Sequence, residues 1–292
     1  MSNKISYLLL VLVAAIWGFS FVAQSAGMEF MGPHSFNAAR FILAAVSLLP
    51  LWFALSRKKP LRDPRLWFGG LLAGTVMFAG FSFQQIGLLH TSAGNAGFIT
   101  GMYIVLVPIV GIFLKQHTSS KTWLGVAFAT AGLFVLCVDD NISIGYGDSL
   151  ELIGVVFWTM HVLAIAWLAS KVDAISLSII QFTVAAVFAS IFALLFEQPS
   201  WQAVVASSIP LLYAGIAASG IACTLQIIGQ RKIEPNIAAL ILACEAMFAV
   251  LGGWLILDES MSIKELSGCL LMLSGMIISQ WPKRQKVLLP AT

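Results

Sequence analysis

Ten apolar runs follow one another along this chain, with connections of no more than about a dozen residues between them. They occupy residues 5–24, 35–55, 66–88, 93–114, 122–138, 150–170, 176–196, 209–230, 236–257 and 263–281. A helix rises about 1.5 Å per residue, so runs of about twenty residues match a hydrocarbon core about 30 Å thick. Inside that core every backbone N–H and C=O must be satisfied by the segment itself or by a closed barrel. The runs do not alternate in polarity, which excludes a barrel. Only 10% of the residues are charged, against about 25% in a soluble domain, and 59% are hydrophobic. The expected fold is therefore an all-α polytopic membrane protein with ten transmembrane helices. The first run is longer than a signal-peptide core and nine more follow it, so it reads as an uncleaved span.

The basic residues orient the spans. With the N-terminus inside, fourteen of the sixteen Lys and Arg fall on the inner side: Lys4, the group Arg57, Lys58, Lys59, Arg62 and Arg65, then Lys115, Lys121, Lys171, Arg231, Lys232, Lys283, Arg284 and Lys286. The outer loops hold Lys264 and a set of acids, Glu29, Asp139, Asp140, Asp148, Glu197, Asp258 and Glu259. The positive-inside rule then puts both termini in the cytoplasm. The short loops and tails suit a bacterial inner membrane. They leave no soluble domain for separate chemistry.

A shift of about 141 residues lays the chain on itself. Trp17 falls on Trp158, Arg40-Phe41 on Gln181-Phe182, and Ala44-Ala45-Val46 on Ala185-Ala186-Val187. With one residue added, Gln84 meets Gln226, Gly87 meets Gly229 and Gly111 meets Gly253; with one more, Gly125 meets Gly268 and Gly132 meets Gly275. The halves are residues 1–140 and 147–285, followed by a cytoplasmic tail at 286–292. Five spans is an odd number, so the second half crosses the membrane upside down relative to the first. Inverted repeats of this kind characterise secondary transporters, whose site lies at the midplane between the halves. The glycine pairs Gly70/Gly74, Gly97/Gly101, Gly125/Gly132 and Gly268/Gly275 suit close helix packing.

Polar groups at mid-depth are the candidate site residues. Glu245 is the single charge in the run 237–257, where an acid costs about 2.5–3.5 kcal/mol on the lenient insertion scale. Such a residue faces a cavity or a structural partner, and it could exchange a proton or anchor a cationic group. The repeat places Tyr103 opposite it. Arg40 is the one basic residue inside a span, roughly 8 Å in from the outer face. It either clamps a carboxylate with its planar fork, or snorkels outward, or binds neighbouring carbonyls. If Arg40 and Glu245 share a cavity, their opposite signs suit a zwitterion such as an amino acid. His161, one turn beyond Trp158, is either a titrating group or a hydrogen-bonded packing residue. Trp17, Trp158 and Tyr103 form an aromatic wall or simply pack. Gln84, Gln85, Gln181 and Gln226 are costly in lipid and face the interior, for substrate or for interhelical hydrogen bonds.

No GxSxG, HExxH, P-loop or CxxC pattern occurs, so catalytic, cofactor and metal sites are not expected, nor is a nucleic-acid partner. Cys137, Cys223, Cys244 and Cys269 lie in apolar runs at no metal-like spacing. An intramembrane lipid enzyme would need a dyad that is not found, and a channel would conduct without counterflow.

Three stretches carry a family resemblance. AIWGFSFVAQ with NAARFILAAV, GNAGFITGMYIVLVPIVGIFL, and CEAMFAVLGGWLILDESMSIKELSGCLLMLSGMII resemble EamA-type members of the drug/metabolite transporter superfamily. Two departures stand out. Ala246 follows the mid-span Glu where the family often has Pro, and Lys115-Gln116-His117 closes span 4 where an acid is frequent. The resemblance implies ten spans in two inverted five-helix repeats. It also implies alternating-access carriage of small metabolites, often amino acids and commonly outward; nucleobases, sugars and cationic drugs are the alternatives. The expected partners are a small-molecule substrate, the lipid bilayer and protons, with no oligomeric state indicated.

Overall fold

The computed structural model describes residues 3–57, 61–91, 93–115, 118–137, 145–256 and 263–280. Outside these lie Lys58, Lys59, Gln116, His117, Asp139, Asp140, Asp258, Glu259, Lys283, Arg284, Lys286 and the tail 286–292. The described residues form helices and turns with no strand. Six helical stretches are long and apolar enough to cross a membrane: α1 (Asn3–Met28), α2 (Pro33–Leu55), α3 (Pro64–Gly87), α7 (Tyr146–Leu168), α8 (Ala174–Phe196) and the continuous stretch Ser208–Gln230. Four shorter apolar stretches, Ile99–Phe113, Ser120–Val135, Pro235–Leu251 and Leu266–Ser279, account for the remaining runs.

Helix starts follow local chemistry. Proline opens α2 and α3, where its missing N–H costs nothing. Asp63 caps α3 by accepting from Arg65 N at 2.9 Å, and the hydrogen bonds from Arg65 hold its carboxyl below the ordinary carboxylate range. Asp173 caps α8 through Ser176 N. The α2 start has no cap of its own. Glu197, at the far end of α8, supplies one: its two oxygens accept from His34 N and Ser35 N, both at 2.8 Å.

Two runs are broken at mid-depth. The fourth divides into α4 (Ala93–Gly101) and α5 (Tyr103–Phe113) at Met102. The ninth divides into α12 (Pro235–Leu242) and α13 (Glu245–Ile256) at Ala243-Cys244. Met102 (φ −63°, ψ −12°) and Ala243 (φ −61°, ψ −14°) adopt the same tight-turn backbone. Bonds of i→i−3 type, such as Val105 N to Met102 O and Ala246 N to Ala243 O, replace the α pattern there. The missing proline at Ala246 therefore does not preserve a continuous helix beside Glu245. The eighth run is irregular too. After a surface helix α9 (Trp201–Ala206) and a short α10 (Ser208–Leu212), Tyr213–Ile221 is a π-helix that leads into α11 (Ala222–Gln230).

Helices α6 (Ser120–Cys137) and α14 (Ile263–Gln280) form the most extensive pair. A Cβ at Gly125 would lie 2.6 Å from Gly275 O, and one at Gly132 would lie 2.6 Å from Gly268 O. The crossed order of these contacts makes the two helices antiparallel, packed backbone to backbone through their glycines. Helices α2 and α8 are antiparallel as well, joined by His34–Glu197 at one end and Trp52 Nε1–Ser176 Oγ (3.0 Å) at the other. Gly70 and Gly74 of α3 seat α8 at Ile180, Gln181 and Val184. One apolar core gathers around α1, α5, α7 and α12. A second, rich in Phe, gathers between α2, α3 and α8. Trp17 and Trp158 border both.

Candidate functional site

A cavity lies between the two cores. Glu245, Tyr103, Arg40, Trp17, Trp158, His161 and Gln84, the seven residues singled out above, all line it. Their convergence depends on the breaks in the helices. Glu245 and Tyr103 are the first residues of α13 and α5, so each projects from a chain turn at mid-depth rather than from a helix side. Tyr103 Oη donates to Glu245 Oε1 at 3.3 Å. Glu245 is 4% exposed and points into the protein rather than into lipid. Helix α1 presses directly on this turn: a Cβ at Gly18 would lie 2.5 Å from Glu245 O and 2.6 Å from Phe248 Cβ.

Arg40 is 1% exposed, so the outward-snorkelling alternative does not describe this structure. Its Nη1 donates to Gln24 Oε1 at 2.9 Å and its Nε to Ser219 Oγ at 3.2 Å. Its guanidinium carbon stands 4.1 Å from the centroid of the Phe81 ring, a cation–π contact. Gln24 is itself held, Nε2 donating to Ser20 Oγ and to Ser20 O. Neither Arg40 nor Glu245 has a counter-ion among the described residues, where Arg65–Asp63 is the ion pair found. A basic and an acidic side chain thus face one cavity without pairing with each other.

The aromatic wall is present and unequal. Trp17 Nε1 donates to Ala218 O of the π-helix at 2.8 Å. Trp158 packs edge-on against Phe81 with centroids 4.6 Å apart, and its Nε1 has no partner. His161 pairs Nε2 with Gln181 Oε1 at 3.4 Å, which matches the hydrogen-bonded alternative, while its Nδ1 is unpartnered. Gln84 and Gln226 line the cavity; Gln85 is buried without hydrogen bonds, and Gln181 stands behind His161.

Several lining residues escaped the sequence reading. Ser20, Phe21 and Gln24 stand at i+3, i+4 and i+7 from Trp17, on one face of α1, a spacing legible in the sequence. Thr100 precedes Tyr103 by three residues and lines the same wall. It donates to Glu151 Oε2 at 3.3 Å, and Glu151 is a second buried acid, one turn into α7 beyond Asp148. Ser219 reaches Arg40 only because the π-helix turns it inward.

The comparisons with known proteins agree with this architecture. An Archaeoglobus fulgidus protein described as an uncharacterised transporter is 29% identical over 270 residues, covering 92% of this chain and 83% of its own. The Bacillus subtilis transporter YoaV, likewise uncharacterised, is 21% identical over 286 residues, covering 95% and 98%. A crystal structure of a protein chain 19% identical superposes with a TM-score of 0.80, over 94% of this chain and 98% of that one, and so shares its fold. The profile of the EamA-like transporter family matches twice, at residues 4–138 and 145–280, one match for each half. Together the two matches span nearly the whole of this integral membrane protein of apolar helices, and the chain belongs to the EamA-like transporter family.

Proposed function

We propose that this transporter carries small zwitterionic metabolites, amino acids foremost, by alternating access through the central cavity. In this reading ten spans form two inverted five-helix repeats, 1–140 and 147–285, with both termini and the tail 286–292 on the cytoplasmic side of a bacterial inner membrane. The inverted arrangement draws support from the antiparallel contacts of the repeat mates α6 and α14 and of the mates α2 and α8. The matching breaks at Met102 and Ala243 support it too.

The observation that carries the reading is the pair Arg40 and Glu245. Both line one cavity, one a base and the other an acid, and both lack counter-ions among the described residues. A substrate carboxylate accepts from the Arg40 guanidinium, which Gln24, Ser219 and Phe81 hold in place. A substrate ammonium takes the place of a proton on Glu245, beside Tyr103. Exchange of that ammonium for a proton couples transport to the pH gradient, and outward movement is the direction the family resemblance implies.

Purified protein in liposomes loaded with unlabelled amino acids should exchange them for labelled ones, faster when a pH gradient is imposed. Counterflow of nucleobases, sugars or organic cations instead, or flux without counterflow, would overturn the assignment.

A further inference from the structure

The two halves are not equivalent around the cavity, and the difference bears on the substrate. This inference rests on the amino-acid reading above. In one half the Trp and the Arg at the cavity are hydrogen-bonded. Trp17 donates to the Ala218 carbonyl, and Arg40 is bonded to Gln24 and Ser219. In the other half their counterparts keep unpaired atoms. Trp158 is the repeat mate of Trp17, but α3 stands where the π-helix stands in the other half. Trp158 meets the Phe81 side chain of α3 edge-on instead of a carbonyl. Trp158 Nε1 is left without an acceptor. Gln181, the mate of Arg40, spends Oε1 on His161 and leaves Nε2 unpaired.

His161 Nδ1 and both amide atoms of Gln226 are unpaired as well. His161 and Gln226 are 1% and 0% exposed, and with Trp158 they line the cavity. A buried polar atom without a partner costs about 1–3 kcal/mol, and native proteins hold few of them. Four on residues that line one cavity are the signature of a place made for a polar ligand group.

The cluster specifies that group. With Nε2–H donating to Gln181, His161 Nδ1 is an acceptor, as is Gln226 Oε1. Trp158 Nε1 and Gln226 Nε2 are donors. A matching group must donate and accept together and bring no charge. A carboxylate accepts only, an ammonium donates only, an alkyl chain leaves all four atoms unpaired, and a hydroxyl has one hydrogen to give where two acceptors wait. A carboxamide has both a carbonyl and an NH₂. We propose that Trp158, His161 and Gln226 form the side-chain subsite of the cavity and that it takes a neutral carboxamide. The transported amino acid is then of the glutamine or asparagine kind, with Arg40 and Glu245 holding its charged ends.

The test is competition in proteoliposome counterflow between L-glutamine and L-methionine, which match in length and differ in the terminal group. L-Glutamate and L-lysine serve as charged controls. Glutamine should compete at a concentration at least about tenfold below methionine and below both controls. Trp158→Phe and, separately, Gln226→Leu should shrink that ratio several-fold; because each variant is compared with itself, reduced folding does not mimic the effect. Methionine competing as well as glutamine, or a ratio unmoved in both variants, overturns the subsite while leaving the amino-acid reading intact. Exchange of none of the four amino acids by folded protein overturns both.

Discussion

At the scale of single residues, the cavity depends on a buried acid and a buried base that are not paired with each other. The Glu245 carboxyl meets Tyr103 Oη, and the Arg40 guanidinium meets two side-chain oxygens and one aromatic face. Glu245→Gln keeps the shape and the hydrogen bond from Tyr103 but removes the charge. Exchange in this variant should lose its response to an imposed pH gradient and fall by an order of magnitude or more in liposome flux. Unchanged flux and unchanged pH response would remove Glu245 from the mechanism. Arg40→Lys keeps the charge but loses the planar fork that reaches Gln24 and Ser219 at once. Losing one charge-assisted hydrogen bond, about 1.5–3 kcal/mol, should raise the substrate KM roughly tenfold to a hundredfold.

At the scale of elements, the site is made by places where helices stop being ordinary. The tight turns at Met102 and Ala243-Cys244 present Tyr103 and Glu245, and the π-helix presents Ala218 O and Ser219. The α1 segment closes on one of these turns at Gly18, where any side chain meets α13 backbone. Gly18→Leu should push α13 outward and destabilise by about 1–3 kcal/mol, the range for overpacking. A lower melting temperature in detergent together with lost exchange would register it, and Gly18→Ala should fall between. The start of α2 depends on the Glu197 carboxylate from α8, which satisfies two end N–H groups and complements the helix dipole. Glu197→Ala should lower stability by about 1 kcal/mol in the same melt, with Glu197→Gln milder.

At the scale of the whole molecule, the proposal is a fold-back in which the halves face opposite sides of the membrane. Cysteines placed at Arg62 and at Ser200 should then react with a membrane-impermeant thiol reagent from opposite sides. The native Cys223, Cys244 and Cys269 are buried, and replacing the fourth cysteine, Cys137→Ser, sets the background. Labelling of both positions from one side would end the inverted reading. Apolar run length, loop charge and the 141-residue echo made the helical membrane class and the two-part chain legible, because solvation by lipid acts on each segment separately. The same echo paired Tyr103 with Glu245 before any coordinates, and mid-depth polarity picked out seven residues that share one cavity.

What sequence alone determined was therefore the class of the fold and the depth of each polar group, since both follow from the cost of placing a residue in hydrocarbon. What only the tertiary structure decided was direction and partnership. Arg40 could have turned outward to water, and instead Gln24, Ser219 and Phe81 hold it inward. Trp17 and Trp158 read alike in sequence, yet Trp17 reaches the Ala218 carbonyl of the π-helix, while Trp158 Nε1 has no partner among the described residues. The break beside Glu245 forms without the proline that would have announced it. Such features arise from contacts between helices far apart in the chain, and no local run of residues encodes them.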